Sequence, residues 1–379
     1  MGYLGEEIGK LGFGLMRLPK DGDDIDIEQT KKMVDMFMEA GFTYFDTAWA
    51  YGGSEDAIRQ ALVERYPRDS YQLATKNAAW IKCKTKEDAI AQFETSLKQA
   101  GVEYFDYYLL HNLGAHRTKV FEDWNMYEWG LELKEKGLIK HFGFSAHATG
   151  EELEAILEKY PEFEFCQTQI NYADWESSVI QCRKCYEICR KYEMPIIIME
   201  PVKGGILANP PQQVRDVFDK TGRGWSYAAW ALKFTANLDG LITVLSGMSS
   251  IEQMEENIRT FSGFEGLTDD ELAAIEEARD IMDKMPTVPC TTCHYCEKVC
   301  PQNVGISGTM EALNAYILYD SKAQAKHDEG WLVKAHGFEH ATECIECGAC
   351  EEACPQSIEI ISNLKRFVDA VIPEKKKAN

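Results

Sequence analysis

The chain has 379 residues, enough for two or three domains, and 45% of them are hydrophobic, so it can bury a large core. Its formal net charge is −22, which argues against nucleic acid and anionic membrane surfaces as partners. The sequence contains no apolar run of about 18 residues and no basic start followed by an apolar stretch. We therefore expect a cytoplasmic protein without a membrane span.

Short apolar runs alternate with amphipathic stretches through residues 1–284. The predicted strands are 11–18, 42–46, 71–76, 105–111, 141–145, 165–170, 195–200 and 241–245. The helical patterns between them include 28–40, 86–100, 121–136, 151–159 and 177–192. Eight strand–helix units in roughly 280 residues predict an α/β fold with a closed (β/α)8 TIM barrel. An open doubly wound sheet is the alternative, but the first predicted strand lacks the Gly-x-Gly-x-x-Gly that this fold favours.

Four ionisable residues fall at or just after the carboxyl ends of successive predicted strands, where barrel enzymes carry their chemistry. They are Asp46, Tyr51, Lys76 and His111. We expect an ion pair between Asp46 and Lys76, and we expect the ammonium group to lower the pKa of Tyr51. Tyr51 would then donate a proton near neutral pH, while His111 orients a carbonyl oxygen. Taken singly, each residue has an ordinary structural explanation.

Two prolines divide the chain just before a cysteine-rich segment. They predict a linker at 285–289 between a barrel at 1–284 and a second domain at 290–379. Within the second domain, the apolar pattern at 310–325 predicts a helix, so we expect this domain to be largely helical.

Eight of the 13 cysteines form two runs with the spacing Cys-x2-Cys-x2-Cys-x3-Cys-Pro. This spacing is typical of proteins with two [4Fe–4S] clusters, in which the fourth cysteine of each run ligates the other cluster. One cluster is therefore expected on Cys290, Cys293, Cys296 and Cys354. The other is expected on Cys344, Cys347, Cys350 and Cys300. Zinc sites and disulfides are the alternatives, but zinc ligands usually come in two pairs.

Three further cysteines, Cys182, Cys185 and Cys189, share one predicted helix. A third cluster is conceivable there, but Cys182 and Cys189 would lie about 10 Å apart along the helix axis, too far for one cluster. We therefore expect these thiols to belong to the core, where small apolar side chains are common.

Eight segments occur in an order that one enzyme family shares. They read GFGLMRLP, FDTAWAYG, LATK, LLH, GFSAHA, QTQINY, MEPVKGG and SGMSSIEQMEENI. In these segments the chain resembles the aldo-keto reductase family over about residues 1–284. Over its whole length it resembles the branch of that family with a C-terminal two-cluster ferredoxin domain. The resemblance implies a catalytic tetrad, which is matched by Asp46, Tyr51, Lys76 and His111.

The resemblance also implies where a nicotinamide cofactor would bind. The implied contacts are Ser145, Gln167, Met199, Pro201, Lys203, Gly204, Gly247, Gln253, Glu256 and Asn257. Two places depart from the family pattern. Met199 stands where a ring-stacking tyrosine is common, and Gly247, Met248 and Gln253 stand where the 2′-phosphate site of the family usually carries Lys, Ser and Arg. NAD(H) and flavin mononucleotide (FMN) are therefore alternatives to NADP(H).

The leading hypothesis is an oxidoreductase that interconverts a small-molecule carbonyl and alcohol, with the clusters passing electrons to or from an electron-transfer protein. Hydride carries two electrons and a cluster carries one, a mismatch that a flavin resolves better than nicotinamide does. A flavin-containing electron-transfer oxidoreductase is therefore an alternative, and structural clusters are another. A non-catalytic redox protein is a third, although such a protein has no use for an activated tyrosine.

Overall fold

The computed structural model describes residues 3–114, 117–177, 180–290, 292, 294–354 and 356–372, and Cys293 lies outside these residues. The chain packs as two units. The first comprises Met1–Gly204 and Ala228–Leu272, and the second comprises Gly205–Tyr227 and Ala273–Asn379. Among the described residues, the helices are too short or too polar to cross a membrane.

The first unit contains a closed barrel of eight parallel strands, as the alternation of strands and helices predicts. The strands are β1 (Leu11–Gly14), β2 (Tyr44–Asp46), β3 (Gln72–Asn77), β4 (Phe105–Leu113), β5 (Ile139–Ala146), β6 (Cys166–Gln169), β7 (Ile196–Met199) and β8 (Leu241–Ser246). Each strand pairs with its neighbours in sequence, and β1 pairs with both β2 and β8 to close the barrel. All eight predicted strands are present. The first ends earlier than predicted, because Leu15–Arg17 forms a 3₁₀ turn.

The helices alternate with these strands and then continue into the second unit. They are α1 (Ile27–Glu39), α2 (Ser54–Ile58), α3 (Lys86–Ala100), α4 (Arg117–Asp123), α5 (Met126–Glu135), α6 (Gly150–Lys159), α7 (Cys182–Lys191), α8 (Gln212–Lys220), α9 (Tyr227–Ala236), α10 (Ile251–Phe261), α11 (Asp269–Asp283), α12 (Tyr295–Lys298), α13 (Ile306–Tyr319), α14 (Lys322–Leu332), α15 (Ala349–Glu352) and α16 (Ile360–Val371). Helix α3 has the predicted bounds. It begins at a capping box of Thr85 and Asp88 and ends at Gly101, whose φ is +69°.

The predictions of two barrel helices were partly wrong. The helix predicted at 121–136 is two helices, α4 and α5, because Asn125 adopts a left-handed conformation with φ +49°. The helix predicted at 177–192 begins only at Cys182, after Gln181, which has φ +55°. A single left-handed residue interrupts the backbone hydrogen bonds of a helix but leaves its apolar periodicity unchanged, so the pattern alone does not reveal the break.

Side chains fill the interior of the barrel, so the residues that could react with a ligand are those at the strand ends. The buried interior residues include Tyr44, Ala74, Tyr107, Leu109, Phe165 and Ile197. Cys182, Cys185 and Cys189 of α7 are also buried, as expected for core residues. Each barrel strand thus contributes packing along its length, and polar groups are concentrated where it ends.

The second unit is largely helical, as predicted. The helix predicted at 310–325 is two helices, α13 and α14. Asp320 ends the first with φ +49°, and the Ser321 side chain caps the second by accepting a hydrogen bond from Gln324 N. The apolar core of this unit includes Val288, Val304, Ile306, Met310, Leu313, Leu364 and Phe367. Val288 of the predicted linker is also held by Asn314, which bonds its backbone N–H and carbonyl at 2.7 and 2.9 Å.

Candidate active site and cluster cavities

Asp46 and Lys76 lie at the ends of the paired strands β2 and β3, and their side chains meet. Lys76 Nζ lies 2.5 Å from Asp46 Oδ1 and donates to the carbonyl of Thr47 at 2.7 Å. The two side chains are 0% and 3% exposed for Lys76 and Asp46. Burial raises the pKa of Asp46 and lowers the pKa of Lys76, and their mutual attraction opposes both shifts. The structure therefore contains the expected ion pair in a site shielded from water.

Tyr51 follows β2 on a short loop and lies beside this pair. Lys76 Nζ is 5.1 Å from the centroid of its ring, and the imidazole centroid of His111 is 5.9 Å from the same ring. The loop is fixed by backbone bonds from Tyr51 N to the Ala48 carbonyl and from Ser54 N to the Tyr51 carbonyl, each 2.9 Å. The four residues from successive strand ends are thus brought together.

The charges around Tyr51 do not lower its pKa as expected. Burial raises the pKa of Tyr51, and the negative charges of Asp46 and Glu200 raise it further. The expectation was wrong because burial of the phenol dominates its pKa, and the carboxylates of Asp46 and Glu200 act in the same direction. The phenol is therefore protonated at neutral pH, as a proton donor must be before it reacts.

His111 provides a neutral imidazole at the same site. Burial lowers the pKa of His111 well below its usual range, and the nearby Lys76 charge lowers it further. Its buried Nδ1 makes no hydrogen bond within the described residues. Trp80 Nε1 donates to the backbone carbonyl of His111 at 2.8 Å, which fixes this strand end. A neutral ring with an unused nitrogen can form a hydrogen bond with a substrate oxygen.

Ser145 and Gln167, the implied carboxamide contacts, are directly paired across β5 and β6. Ser145 Oγ accepts a hydrogen bond of 2.8 Å from the backbone N–H of Asn112. Within the described residues, Gln167 Oε1 and Asn112 Oδ1 are buried and make no hydrogen bond. Two amide oxygens that still need donors fit a ligand with an amide NH2 group, such as nicotinamide. The sequence reasoning missed Asn112, although its place directly after His111 was a usable signal.

The segment after β7 contains the implied pyrophosphate contacts. Met199 Sδ lies 3.9 Å from Gln167 Nε2, and Pro201 is buried. Lys203 forms a 2.5 Å ion pair with Asp174, a residue that the sequence reasoning missed. Gly204 has φ +67°, a conformation that glycine adopts at little cost. Because Asp174 neutralises Lys203, this lysine is a poor substitute for the missing cations of the 2′-phosphate site.

The implied adenosine contacts lie where β8 leads into α10. Gln253 Oε1 accepts a bond from Ser249 N at 2.7 Å, and Asn257 Nδ2 donates to Ser246 Oγ at 2.8 Å. Glu256 is half-buried on the same helix. None of these side chains is a cation. A basic residue that the sequence reasoning missed, Arg17, lies nearby, because its side-chain carbons are 3.5–3.7 Å from a Cβ built on Gly247.

The cysteine runs line two cavities in the cluster domain. The lining of the first includes Cys290, Cys296 and Cys354. The lining of the second includes Cys300, Cys344, Cys347 and Cys350. Each cavity thus takes its last cysteine from the other run, which is the grouping that crossed cluster ligation requires.

The spacing of these thiols fits a cluster better than the alternatives. Every cysteine among the described residues is free, so the disulfide alternative fails there. The second cavity has all four of its cysteines in the described part of the chain, and in that part no group of three or more Cys, His, Asp or Glu is arranged to hold a metal ion. A zinc site would bring its ligands around one ion. Four thiols that line one cavity are the ligand set of a [4Fe–4S] cluster.

A barrel with a buried acid–base group at its strand ends, joined to a cysteine-rich helical domain, defines an iron–sulfur oxidoreductase of the TIM-barrel class. Residues 10–280 match the Aldo/keto reductase family, and residues 289–359 match the 4Fe-4S dicluster domain. The chain therefore belongs to the aldo-keto reductase family and carries a C-terminal 4Fe-4S dicluster domain.

Individual relatives support this placement. An aldo-keto reductase of Mycolicibacterium smegmatis is 27% identical over 253 residues, covering 66% of this chain and 83% of the relative. Three further mycobacterial relatives are matched over only 47% of their length.

Two solved structures share the fold. The holo form of an aldo-keto reductase from Bacillus halodurans matches with a TM-score of 0.59 and 23% identity, covering 72% of this chain and 92% of that one. A Klebsiella pneumoniae aldo-keto reductase in complex with NADPH matches with a TM-score of 0.56 and 22% identity, covering 71% and 90%. At such identities the likeness shows the fold alone.

Proposed function

We propose that the barrel interconverts a small-molecule carbonyl and the corresponding alcohol with a nicotinamide cofactor, and that the cluster domain passes single electrons to or from a partner protein. One observation carries the catalytic part of this proposal. The Asp46–Lys76 ion pair is buried away from solvent and lies beside a protonated Tyr51 and a neutral His111. An ion pair shielded from water is costly to maintain, and active sites are where such arrangements concentrate.

Each residue has a separate role in carbonyl reduction. The bound nicotinamide would supply the hydride. Tyr51 gives its phenolic proton to the carbonyl oxygen as negative charge develops there. Lys76, held by Asp46, stabilises the phenolate that remains, because its ammonium group lies 5.1 Å from the ring centroid. His111 orients the carbonyl oxygen through its imidazole ring, and Asp46 and Lys76 are buried away from competing water.

The residues near the strand ends suit the nicotinamide half of the cofactor. Ser145, Gln167 and Asn112 present polar atoms where the carboxamide group would bind, and two of these atoms are buried without partners in the described residues. The Klebsiella structure contains NADPH, which supports a nicotinamide cofactor on this fold. FMN is the second candidate, because Met199 replaces a stacking tyrosine and a flavin would connect two-electron to one-electron chemistry.

Binding of NADPH is expected to exceed that of NADH by less than about a hundredfold. The positions corresponding to the usual 2′-phosphate site hold Gly247, Met248 and Gln253, and Gln253 is engaged with Ser249. Each missing charged hydrogen bond removes about 1.5–3 kcal/mol of selectivity. Fluorescence titrations of the protein with NADH, NADPH and FMN measure this directly.

Besides the expected weak selectivity, the titration distinguishes two other outcomes. Selectivity for NADPH above a hundredfold would contradict the argument, and loss of that selectivity in Arg17→Ala would show which cation restores it. Tight FMN binding without nicotinamide binding would instead establish the flavin alternative. Gln253→Arg is the matched gain-of-charge variant, and it should favour NADPH.

The cluster domain is expected to hold about eight iron atoms and eight acid-labile sulfides per chain, two [4Fe–4S] clusters in total. We expect two clusters because the cysteines line two cavities, each with cysteines from both runs. Colorimetric iron and sulfide assays on anaerobically purified protein provide the measurement. Cys350→Ser should lower both counts by loss of one cluster, whereas the control Cys83→Ser, which changes a thiol of the barrel unit, should leave them unchanged. About four atoms of each element, or stoichiometric zinc, would contradict the two-cluster proposal.

A further inference from the structure

Exposed apolar side chains are concentrated at the cysteine runs of the cluster domain. Among the described residues, the large apolar side chains that are exposed are Met16, Leu272, Tyr295, Val299 and Ile345. Val299 is 45% exposed and directly precedes Cys300, and Ile345 is 58% exposed and directly follows Cys344. Both of these cysteines line the second cavity. Two exposed apolar residues thus adjoin the same predicted cluster.

The second cavity also approaches solvent on this side. Ile345 lines it together with its cysteines, and Cys347, two residues further on, is itself exposed. In the first cavity the described cysteines are half-buried or buried. Because electron transfer slows steeply with distance, a centre held by the exposed Cys347 is within reach of another protein.

The charge beside Ile345 indicates which kind of partner protein would bind there. Glu343 and Glu346 flank it and are exposed, and Glu346 also contacts Lys365 at 2.8 Å. Residues 335–364 contain no lysine or arginine, and the net charge of the whole chain is −22. An acidic rim around an apolar centre attracts a basic protein surface.

We propose that Val299, Ile345, Glu343 and Glu346, here called the second-cavity patch, dock a positively charged one-electron carrier protein. This inference rests on the proposed electron-passing role of the cluster domain. A reduced cluster held by the cysteines of the second cavity would give one electron to one carrier molecule, which would oxidise the cluster and reduce the carrier without proton transfer. A small apolar centre with a charged rim suits a transient complex, which forms quickly and separates after transfer.

Stopped-flow mixing of the full, cluster-loaded chain tests the patch. The protein is reduced anaerobically, freed of excess reductant and mixed with ferric cytochrome c, a basic carrier, or with ferricyanide, a small anion. Glu343→Lys/Glu346→Lys should slow cytochrome c reduction about tenfold or more at low salt and should speed ferricyanide reduction. The control pair Glu276→Lys/Glu277→Lys makes the same charge change on α11 and should alter either rate less than about twofold.

The apolar residues are tested separately at high salt, where charge effects are screened. Ile345→Ser should slow cytochrome c reduction, whereas Tyr295→Ser, beside the first cavity, should not. Because Ile345 lines the cavity, the iron content and visible absorbance of Ile345→Ser must show that its cluster is intact. Val299→Ser repeats the test with a side chain that does not line the cavity.

The possible failures are distinguishable. Equal slowing by the two glutamate pairs, or a larger effect of Tyr295→Ser than of Ile345→Ser and Val299→Ser, would overturn the patch while leaving electron passing intact. A reduced wild-type protein that transfers electrons to neither acceptor would overturn the electron-passing role itself.

Discussion

Replacement of Tyr51 by phenylalanine is expected to lower the turnover of carbonyl reduction by about 10²–10⁴-fold, the usual contribution of general acid catalysis. The variant removes one oxygen atom and keeps the ring, so the pocket shape and nucleotide binding should be nearly unchanged. Steady-state turnover with a set of small aldehydes and ketones, together with nucleotide titration, measures both quantities.

A matched control is available within the same barrel. Tyr71 is also buried, its phenol makes no hydrogen bond within the described residues, and it lies at the amino end of β3, away from the candidate site. Tyr71→Phe should therefore keep wild-type turnover. If Tyr51→Phe also kept it, the tetrad would have no catalytic role here and the non-catalytic nucleotide-binding alternative would be favoured.

The barrel and the position of the tetrad could be predicted from the sequence because both follow from short-range patterns. Apolar runs ending in Asp46, Lys76 and His111 mark consecutive parallel strands, and consecutive strands are paired in a closed barrel. Side chains at the ends of neighbouring strands must then lie close together. The cysteine spacing similarly predicted which thiols share a cavity, since the ligand pattern is encoded in the intervals between cysteines.

Other features depend on single residues whose conformation the periodicity does not record. Asn125 and Asp320 each end one helix and begin the approach to another, yet the apolar pattern continues across them. In hindsight, Asp320 followed by Ser321 was a usable signal, because serine caps helices well. The raised pKa of Tyr51 comes from burial, with Asp46 and Glu200 adding to it, and only the three-dimensional packing brings these three causes together.

Removal of the positive charge in Lys76→Met is expected to destabilise the barrel by about 3–5 kcal/mol and to abolish carbonyl reduction. Asp46 would then keep a buried carboxylate without its counter-ion, since its side chain is only 3% exposed. Denaturant unfolding followed by tryptophan fluorescence measures the loss. Visible absorbance of the clusters, recorded in parallel, separates unfolding of the cluster domain from that of the barrel.

The destabilisation should also depend on pH in a definite direction. Burial already raises the pKa of Asp46 in the folded protein, and loss of the Lys76 charge raises it further. A carboxyl with a raised folded-state pKa binds a proton that the unfolded chain has released, so its contribution to stability is greatest at low pH and is lost as pH rises. The penalty of Lys76→Met should therefore be smaller at about pH 5 than at about pH 8.

The double variant Asp46→Leu/Lys76→Met separates stability from catalysis. Replacing both partners of a buried pair by apolar side chains is often neutral, so the double variant should regain most of the lost stability. It should not regain turnover, because the phenolate of Tyr51 would still lack the nearby ammonium group. A double variant as unstable as Lys76→Met would show that the uncompensated Asp46 charge is not the cause of the loss. Recovery of turnover would show that Tyr51 can donate its proton without the ion pair.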